Sequence, residues 1–261
     1  MNLFGKTLFV LLTALAAMPA IANDYRFGIV KIQTQLDDPG TGFILGPDRR
    51  NRCVLVTAKH VISEHQYAQD KNVRFYFPDG SSSSIFYDSF FFDEDSNLDL
   101  AAARVPCGKH SVNLPLAKAS SIAIANPIIV AGYPTSIHNN GPMNASTSVA
   151  RGVITKYSSA GDDAADKGYN ISYDAKTQVG FSGGPVLSDD SSKIIAVHGY
   201  TFAVQTQPVV NPDGSISGEL TRDERRVGGS GITSAVLYKF LLDNGYKMPR
   251  ARGATCLVGV C

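Results

Sequence analysis

The 261-residue sequence has no tryptophan, only four cysteines and almost no net charge. Its 24 basic and 23 acidic residues leave a formal charge of +1, which gives no electrostatic reason to expect nucleic acid or an anionic membrane as a partner. The cysteines include no Cys-x-x-Cys pair, so we expect no metal site, and no cofactor is implied. Beyond the N-terminus, no apolar run is long enough to span a bilayer.

The N-terminal residues are typical of a targeting segment. Lys6 supplies a positive charge, residues 7–18 are mostly apolar, and Ala20-Ile21-Ala22 matches a small-x-small cleavage site. This pattern predicts a signal peptide over residues 1–22 and a mature chain from Asn23. An uncleaved anchor is the alternative. Cleavage implies a secreted or periplasmic protein in an oxidising compartment, with no membrane association after the signal is removed.

Short strands separated by turns dominate the rest of the sequence. The chain has 24 glycines and 13 prolines, and segments such as 25–32 and 73–77 alternate between apolar and polar residues. Near the C-terminus, apolar residues recur at helical spacing between Ser234, a predicted N-cap, and Gly245, a predicted helix end. The sequence therefore predicts an all-β protein with one C-terminal α-helix.

Residues 180–186, Gly-Phe-Ser-Gly-Gly-Pro-Val, form the most informative segment. Glycines allow positive φ angles and close backbone approach, so the backbone N–H groups of such a loop can point into one small space. Ser182 lies beside those donors, as a nucleophile that generates an oxyanion requires. A plain turn is the alternative interpretation.

A serine nucleophile needs a histidine base and a carboxylate that orients it. Of five histidines, His60 ends a strand-like apolar run, whereas His65 is followed by polar residues and is predicted to lie on the surface. Asp99 opens the apolar run 98–105, where a carboxylate is costly to bury unless it is paired. His60 and Asp99 are therefore the candidate base and acid.

These residues lie in three motifs in the order His, Asp, Ser: 57–61 (TAKHV), 99–101 (DLA) and 180–185 (GFSGGP). In this respect the chain resembles trypsin-like serine proteases, which have two six-stranded β-barrels. It is more narrowly similar to the bacterial glutamyl endopeptidases of the staphylococcal V8 type, with further matches at 132–134 (GYP), 173–174 (YD), 195–199 (IAVHG) and 231–233 (GIT). The resemblance covers roughly residues 38–245.

The resemblance implies two six-stranded antiparallel β-barrels and a C-terminal helix. Their expected boundaries are 23–118 for the first barrel, 119–232 for the second, and 233–261 for the helix and tail. It also implies a secreted serine endopeptidase, expected as a monomer, that acts on protein or peptide substrates. A non-catalytic pseudoprotease that serves as a binding module is the alternative.

The site implied by the resemblance consists of His60, Asp99 and Ser182, with the N–H groups of Gly180 and Ser182 as the oxyanion hole. Thr177 lies five residues before the serine, as in the glutamyl endopeptidases, and His198 lies 16 residues after it, one more than in the staphylococcal pattern.

A histidine and a hydroxyl group can bind a substrate carboxylate, so Thr177 and His198 predict a preference for glutamate or aspartate before the scissile bond. Lys176 would add positive potential if it turned inward. The alternative is a preference for apolar or small side chains, with His198 structural. Phe181 stands where the family usually has Asp or Asn, which puts activation by a new N-terminus in doubt.

Four cysteines allow three pairings. In the resembled fold, the strand that precedes His60 and the strand that follows Asp99 run antiparallel, and Cys53 and Cys107 lie seven and eight residues away from His60 and Asp99. This predicts a Cys53–Cys107 disulfide and leaves Cys256 and Cys261 to close a small C-terminal loop. Free buried thiols are the alternative.

An insertion over residues 203–229 follows the predicted substrate pocket. Its Asn-Pro-Asp-Gly segment at 211–214 is typical of a hairpin turn. The insertion is expected either to form a lip for extended substrates or to be a surface hairpin.

Overall fold

The computed structural model describes residues 25–34, 39–48, 50–92, 97–108, 110–111, 114–135, 147–158, 166–202, 206–210, 215–222 and 228–247. The predicted signal peptide and the predicted Cys256–Cys261 bond lie outside these residues. Within them, no helix has the length and apolar character needed to cross a membrane.

The first sheet contains seven antiparallel strands: β1 (Ile29–Ile32), β2 (Gly40–Leu45), β3 (Cys53–Thr57), β4 (Asn72–Tyr76), β5 (Ser82–Phe86), β6 (Phe90–Phe92) and β7 (Ala101–Val105). Their spatial order is β5-β4-β1-β2-β3-β7-β6, so this sheet is a curved half-barrel rather than a closed six-stranded barrel. The 3-10 turn Tyr87–Ser89 connects β5 to β6, and these are the two edge strands of the sheet. β6 then pairs with β7 at the opposite edge of the sheet.

The second half of the chain contains eight strands among the described residues: β8 (Pro127–Gly132), β9 (Ser148–Tyr157), β10 (Ile171–Tyr173), β11 (Pro185–Ser188), β12 (Ile194–Phe202), β13 (Thr206–Val210), β14 (Ile216–Arg222) and β15 (Gly228–Thr233). Six of them close a barrel in the order β10-β15-β12-β11-β8-β9, which confirms the predicted second barrel. β13 and β14 pair antiparallel as a separate ribbon, and the predicted turn at 211–214 lies outside the described residues.

Two helices complete the fold within the described part of the chain: α1 (Lys59–Ile62), directly after β3, and α2 (Ser234–Asp243), directly after β15. α2 packs Leu237, Phe240 and Leu241 into a core cluster shared with strands of both sheets. Gly245 ends it at a φ of 75°, as predicted. Its start differs from the prediction, because Thr233 occupies the N-cap and the Ser234 hydroxyl donates to the Ala117 carbonyl at 2.8 Å.

His65 is not on the surface, so that prediction was wrong. The 3-10 turn Ser63–Tyr67 directs this imidazole inward, where its side chain is 2% exposed and its Nε2 lies 3.0 Å from the Gln33 carbonyl oxygen. Its polar neighbour Gln66 takes the exposed position instead. Sequence polarity failed here because a tight turn, unlike a strand or a long helix, gives no periodic signal.

The Cys53–Cys107 disulfide is confirmed, with the two Cα atoms 5.0 Å apart. β3 and β7 are antiparallel neighbours, and their register pairs Cys53 with Val105 and Thr57 with Ala101. The bond therefore joins the ends of these strands that lie farthest from His60 and Asp99.

Candidate active site

The pairing of β3 with β7 brings His60 and Asp99 together. His60 lies in the first turn of α1, just after β3, and Asp99 lies two residues before β7. The Asp99 carboxylate accepts two hydrogen bonds from His60: Oδ1 from the backbone N–H at 2.8 Å and Oδ2 from Nδ1 at 2.6 Å. These two hydrogen bonds fix the His60 tautomer that has its proton on Nδ1 and leave Nε2 as an acceptor.

Asp99 is held as a buried anion. Its side chain is 5% exposed, whereas that of His60 is 43% exposed. Burial acts to raise the pKa of Asp99, but hydrogen bonds from His60 and Tyr169, with the charge of His60, outweigh burial and lower the pKa below its ordinary value. The carboxylate therefore stays ionised where it can orient His60 and stabilise an imidazolium.

Ser182 lies in the glycine-rich loop that precedes β11. Its hydroxyl donates to the Gly199 carbonyl at 2.8 Å. Among the described residues, no hydrogen bond joins this hydroxyl to His60. The loop nevertheless abuts the start of α1, because a Cβ on Gly183 would lie 2.9 Å from the Ala58 nitrogen.

Two peptide groups of the Ser182 loop are held by hydrogen bonds to their carbonyl oxygens, which point away from the side of the proposed oxyanion. Val179 O accepts a hydrogen bond from the Thr135 N–H at 2.8 Å, and Phe181 O accepts one from the Gly184 N–H at 2.9 Å. In a trans peptide, C=O and N–H point in opposite directions. The N–H groups of Gly180 and Ser182, which belong to these two peptides, therefore point away from those partners, and neither donates to another described residue.

Thr41 connects this loop to the first sheet. Its N–H donates to Ser182 O at 2.8 Å, and its hydroxyl donates to Gly180 O at 2.6 Å. The same hydroxyl accepts the Tyr133 N–H at 2.9 Å. A Cβ on Gly183 would lie 2.1 Å from the Thr41 carbonyl oxygen, so only glycine fits there. The loop is thus built into the contact between the two sheets.

Phe181, the departure from the family pattern, is 2% exposed and packs in the core of the second barrel. Its side chain carries no charge that an N-terminal amine could bind. Apolar burial and the hydrogen bonds of Thr41 therefore hold the loop where an ion pair would otherwise do so.

His198 is fully buried on β12, beside the serine loop. Its Nδ1 bonds to the Tyr173 hydroxyl, and its Nε2 lies 3.3 Å from the Thr201 hydroxyl. Burial, and then the charge of His60, lower the pKa of His198 to about 3, so the imidazole is neutral at physiological pH. Burial raises the pKa of Tyr173 well above its ordinary value, so its hydroxyl stays protonated between His198 Nδ1 and the Ser230 carbonyl oxygen, which is 3.4 Å away.

Two threonine hydroxyls extend from His198. The half-buried Thr201 contacts its Nε2, and the buried Thr177 lies 2.8 Å from Thr201, hydroxyl to hydroxyl. Sequence analysis missed Thr201, because residues three apart on a regular strand face opposite sides. A register shift between His198 and Tyr200 in the β12–β15 pairing places both side chains on one side. Lys176 is exposed, and its role in substrate binding stays a prediction.

The arrangement has the parts needed for acyl transfer: a nucleophile loop, an oriented base, a buried anion and two directed N–H groups. Within the described residues, no cluster of three or more His, Cys, Asp or Glu side chains could hold a metal ion. Sequence reasoning also missed Tyr169, which donates to Asp99 Oδ2, because this tyrosine lies in no recognisable motif.

Comparisons with known proteins agree with this geometry. A profile described as "Trypsin-like peptidase domain" matches residues 40–197. No curated protein sequence matches the chain. A solved structure of an HtrA-type protease with tripeptide superposes with a TM-score of 0.54 at 14% identity, over 85% of this chain and 62% of that one. The inactive form of the Rv3671c protease superposes with a TM-score of 0.53 at 20% identity, over 85% of this chain and 90% of that one.

The two structures show a shared chymotrypsin-like fold, and the chain spans less than two thirds of the HtrA-type protease chain. A closer relationship to the staphylococcal glutamyl endopeptidases stays a prediction. Because the family profile covers more than half of its length, the chain belongs to the family of trypsin-like peptidase domains.

Proposed function

We propose that this chain is a secreted or periplasmic serine endopeptidase that uses Ser182, His60 and Asp99. The observation that carries the proposal is the two-point hydrogen bonding of His60 by a buried, ionised Asp99, next to a serine loop with two directed N–H groups. Its substrates are proteins or peptides, and neither nucleic acid nor a membrane is a partner. We propose a monomer, released by removal of residues 1–22.

In the proposed mechanism, the Ser182 hydroxyl leaves Gly199 O, bonds His60 Nε2 and attacks the substrate carbonyl carbon. The serine proton moves to Nε2, and Asp99 stabilises the imidazolium. The N–H groups of Gly180 and Ser182 hold the oxyanion, with about 3 kcal/mol of transition-state stabilisation from each donor. His60 then protonates the leaving amine, and water hydrolyses the acyl-enzyme after losing a proton to His60.

The proposed substrate preference is glutamate or aspartate before the scissile bond. We assign the proton of the neutral His198 to Nε2, which makes this atom a donor, and a hydrogen bond to a carboxylate is charge-assisted. The Thr201 hydroxyl lies 3.3 Å from Nε2 and the Thr177 hydroxyl lies 2.8 Å from that of Thr201, so each can rotate to donate to a bound carboxylate. Lys176 would supply positive potential at the entrance. Together these groups match a carboxylate better than an apolar side chain.

The alternative preference, for apolar or small side chains, has one observation in its favour. His198 and the threonine hydroxyls already bond to one another and to Tyr173, so they are satisfied without a substrate. In that case His198 is a structural residue of β12. A catalytically inactive binding module is a further alternative, supported by the bond of the Ser182 hydroxyl to Gly199 rather than to His60.

The first experiment tests the nucleophile. A fluorophosphonate probe should label the mature chain, and a Ser182→Ala variant should not react. A denatured proteome should be cleaved by the mature chain and left intact by the same variant. Labelling and cleavage that persist in the variant would contradict the role of Ser182, and their complete absence from the wild-type chain would support the binding module.

A second experiment tests the pocket with matched peptides that carry Glu, Gln, Ala or Leu before the scissile bond. Thr177→Val removes one donor while keeping the shape, and should lower kcat/KM about tenfold for Glu alone. Thr155→Val on β9 is the matched control. An equal loss on all four peptides would show that Thr177 supports the fold instead, and a wild-type preference for Leu or Ala would exclude the acidic pocket.

A further inference from the structure

A tyrosine from the second half of the chain reaches the candidate acid in the first half. The Tyr169 hydroxyl donates to Asp99 Oδ2, the same oxygen that accepts His60 Nδ1. The two hydrogen bonds approach this oxygen from different elements, α1 on one side and the segment before β10 on the other. Among the described residues, His60 and Tyr169 are the titratable side chains that contact this carboxylate.

The Tyr169 ring occupies the space in which a side chain at position 199 would lie. A Cβ built on Gly199 would lie 2.0 Å from Tyr169 Cε1 and 2.5 Å from Cζ, so any other residue at position 199 would displace the ring. The Gly199 carbonyl is also the acceptor of the Ser182 hydroxyl. Tyr169 and Gly199 thus form a complementary pair between the acid and the nucleophile.

The segment that carries Tyr169 is anchored on both sides. Lys167 O accepts the Asp99 N–H at 3.0 Å, so the same segment holds the backbone and the side chain of Asp99. The Asn170 side chain bonds the Thr233 hydroxyl at 3.0 Å and accepts the Thr233 N–H at 2.9 Å. Lys167 adopts a positive φ of 60°. These contacts fix the position of the segment and so hold the Tyr169 hydroxyl next to Asp99.

From these contacts we infer that Tyr169 is a positioning residue, which holds the Asp99 carboxylate in the plane that orients His60. The inference rests on the proposed function, because orientation of His60 matters only if it is the base. Without the tyrosine hydroxyl, the carboxylate keeps its two bonds to His60 but gains freedom to rotate. The effect should therefore appear in the chemical step and not in substrate binding.

The hydroxyl has a second, measurable consequence. A hydrogen bond to the ionised form favours that form, and the Tyr169 bond is one of the contributions that lower the pKa of Asp99. Loss of this hydroxyl should therefore raise the pKa of Asp99. A residue that merely filled space would leave that titration unchanged.

The test compares Tyr169→Phe with wild type and with Tyr246→Phe. Tyr246 is a matched control, because it is a buried tyrosine whose hydroxyl donates to Leu45 O at 3.3 Å, on another side of the first sheet. Tyr169→Phe should lower kcat about tenfold with little change in KM, because one hydrogen bond to a charged group is lost. It should also move the carboxyl carbon titration of Asp99, followed by NMR, to higher pH. Tyr246→Phe should change neither quantity.

A double-mutant cycle adds a steric test. Gly199→Ala should reduce activity strongly in wild type, because the new methyl group meets the Tyr169 ring. The same substitution should cost less in a Tyr169→Ala background. Equal effects in both backgrounds would refute the complementary pair.

The outcomes separate the two hypotheses. A wild-type protein without Ser182-dependent turnover would contradict the proposed function, and the Asp99 titration would still decide whether Tyr169 holds the carboxylate. An active wild type whose Tyr169→Phe variant keeps its kcat would refute the positioning role alone. An unshifted titration would refute it as well.

Discussion

Replacement of Thr41 by valine tests whether the serine loop is organised by the first sheet. Thr41 is fully buried, and its hydroxyl satisfies the Gly180 carbonyl at 2.6 Å and the Tyr133 N–H at 2.9 Å. Valine has nearly the same shape but leaves both groups without a partner. Each unsatisfied buried group costs about 1–3 kcal/mol, so the free energy of unfolding should fall by about 4 kcal/mol.

Activity should fall with stability, because the Gly180–Phe181 peptide lies between the two proposed oxyanion donors. Misalignment of one donor costs up to about 10²–10³ in kcat, so a loss of at least tenfold is expected. Urea unfolding and peptide hydrolysis measure the two effects. Thr41→Ser is the matched control, because it keeps the hydroxyl and loses only a methyl group. A valine variant as stable and as active as the serine variant would refute the reasoning.

Three further predictions concern stability. Burial, and then the charge of His60, lower the pKa of His198 to about 3. As the pH falls, His198 therefore takes up a proton in the unfolded chain at a higher pH than in the folded protein. Stability should drop by about 1.4 kcal/mol per pH unit as the pH falls from about 6 to 4, and urea unfolding of His198→Gln should show a flatter slope. Replacement of Cys53 and Cys107 by alanine removes a crosslink between residues 54 positions apart and should lower the free energy of unfolding by about 4 kcal/mol, measured by chemical denaturation. A loss below about 1 kcal/mol would contradict the estimate of loop entropy. If apolar packing holds the loop, Phe181→Ala should lower the free energy of unfolding by about 3–5 kcal/mol and Phe181→Leu by less than about 1.5 kcal/mol.

Much of the fold was predictable because its signals are local. Short alternating segments between turns indicated strands, and glycine at position 245 indicated the end of a helix. The resembled fold implied the Cys53–Cys107 pairing, because it makes the two strands antiparallel and the residue counts then bring the cysteines together. The half-barrel shape of the first sheet was not predictable, because whether β5 pairs with β6 across the turn Tyr87–Ser89 depends on contacts between strands and not on local sequence.

The candidate site divides in the same way. The spacing and neighbours of His60, Asp99 and Ser182 singled them out in the sequence. Thr201 escaped notice because a register shift changes which side of β12 it faces. Thr41 escaped notice because its partners are 92 and 139 residues away along the chain.

The sequence by itself determined the class of secondary structure and the order of the candidate residues, since both depend on spacing along the chain. The disulfide needed the resembled fold as well, because spacing alone left three pairings open. Only the tertiary structure decided which side chains support those residues. Tyr169 reaches Asp99, and Thr41 reaches Gly180, because the two halves of the fold pack together. Such contacts depend on shape complementarity and on satisfying buried polar groups, and neither leaves a periodic signal in the sequence.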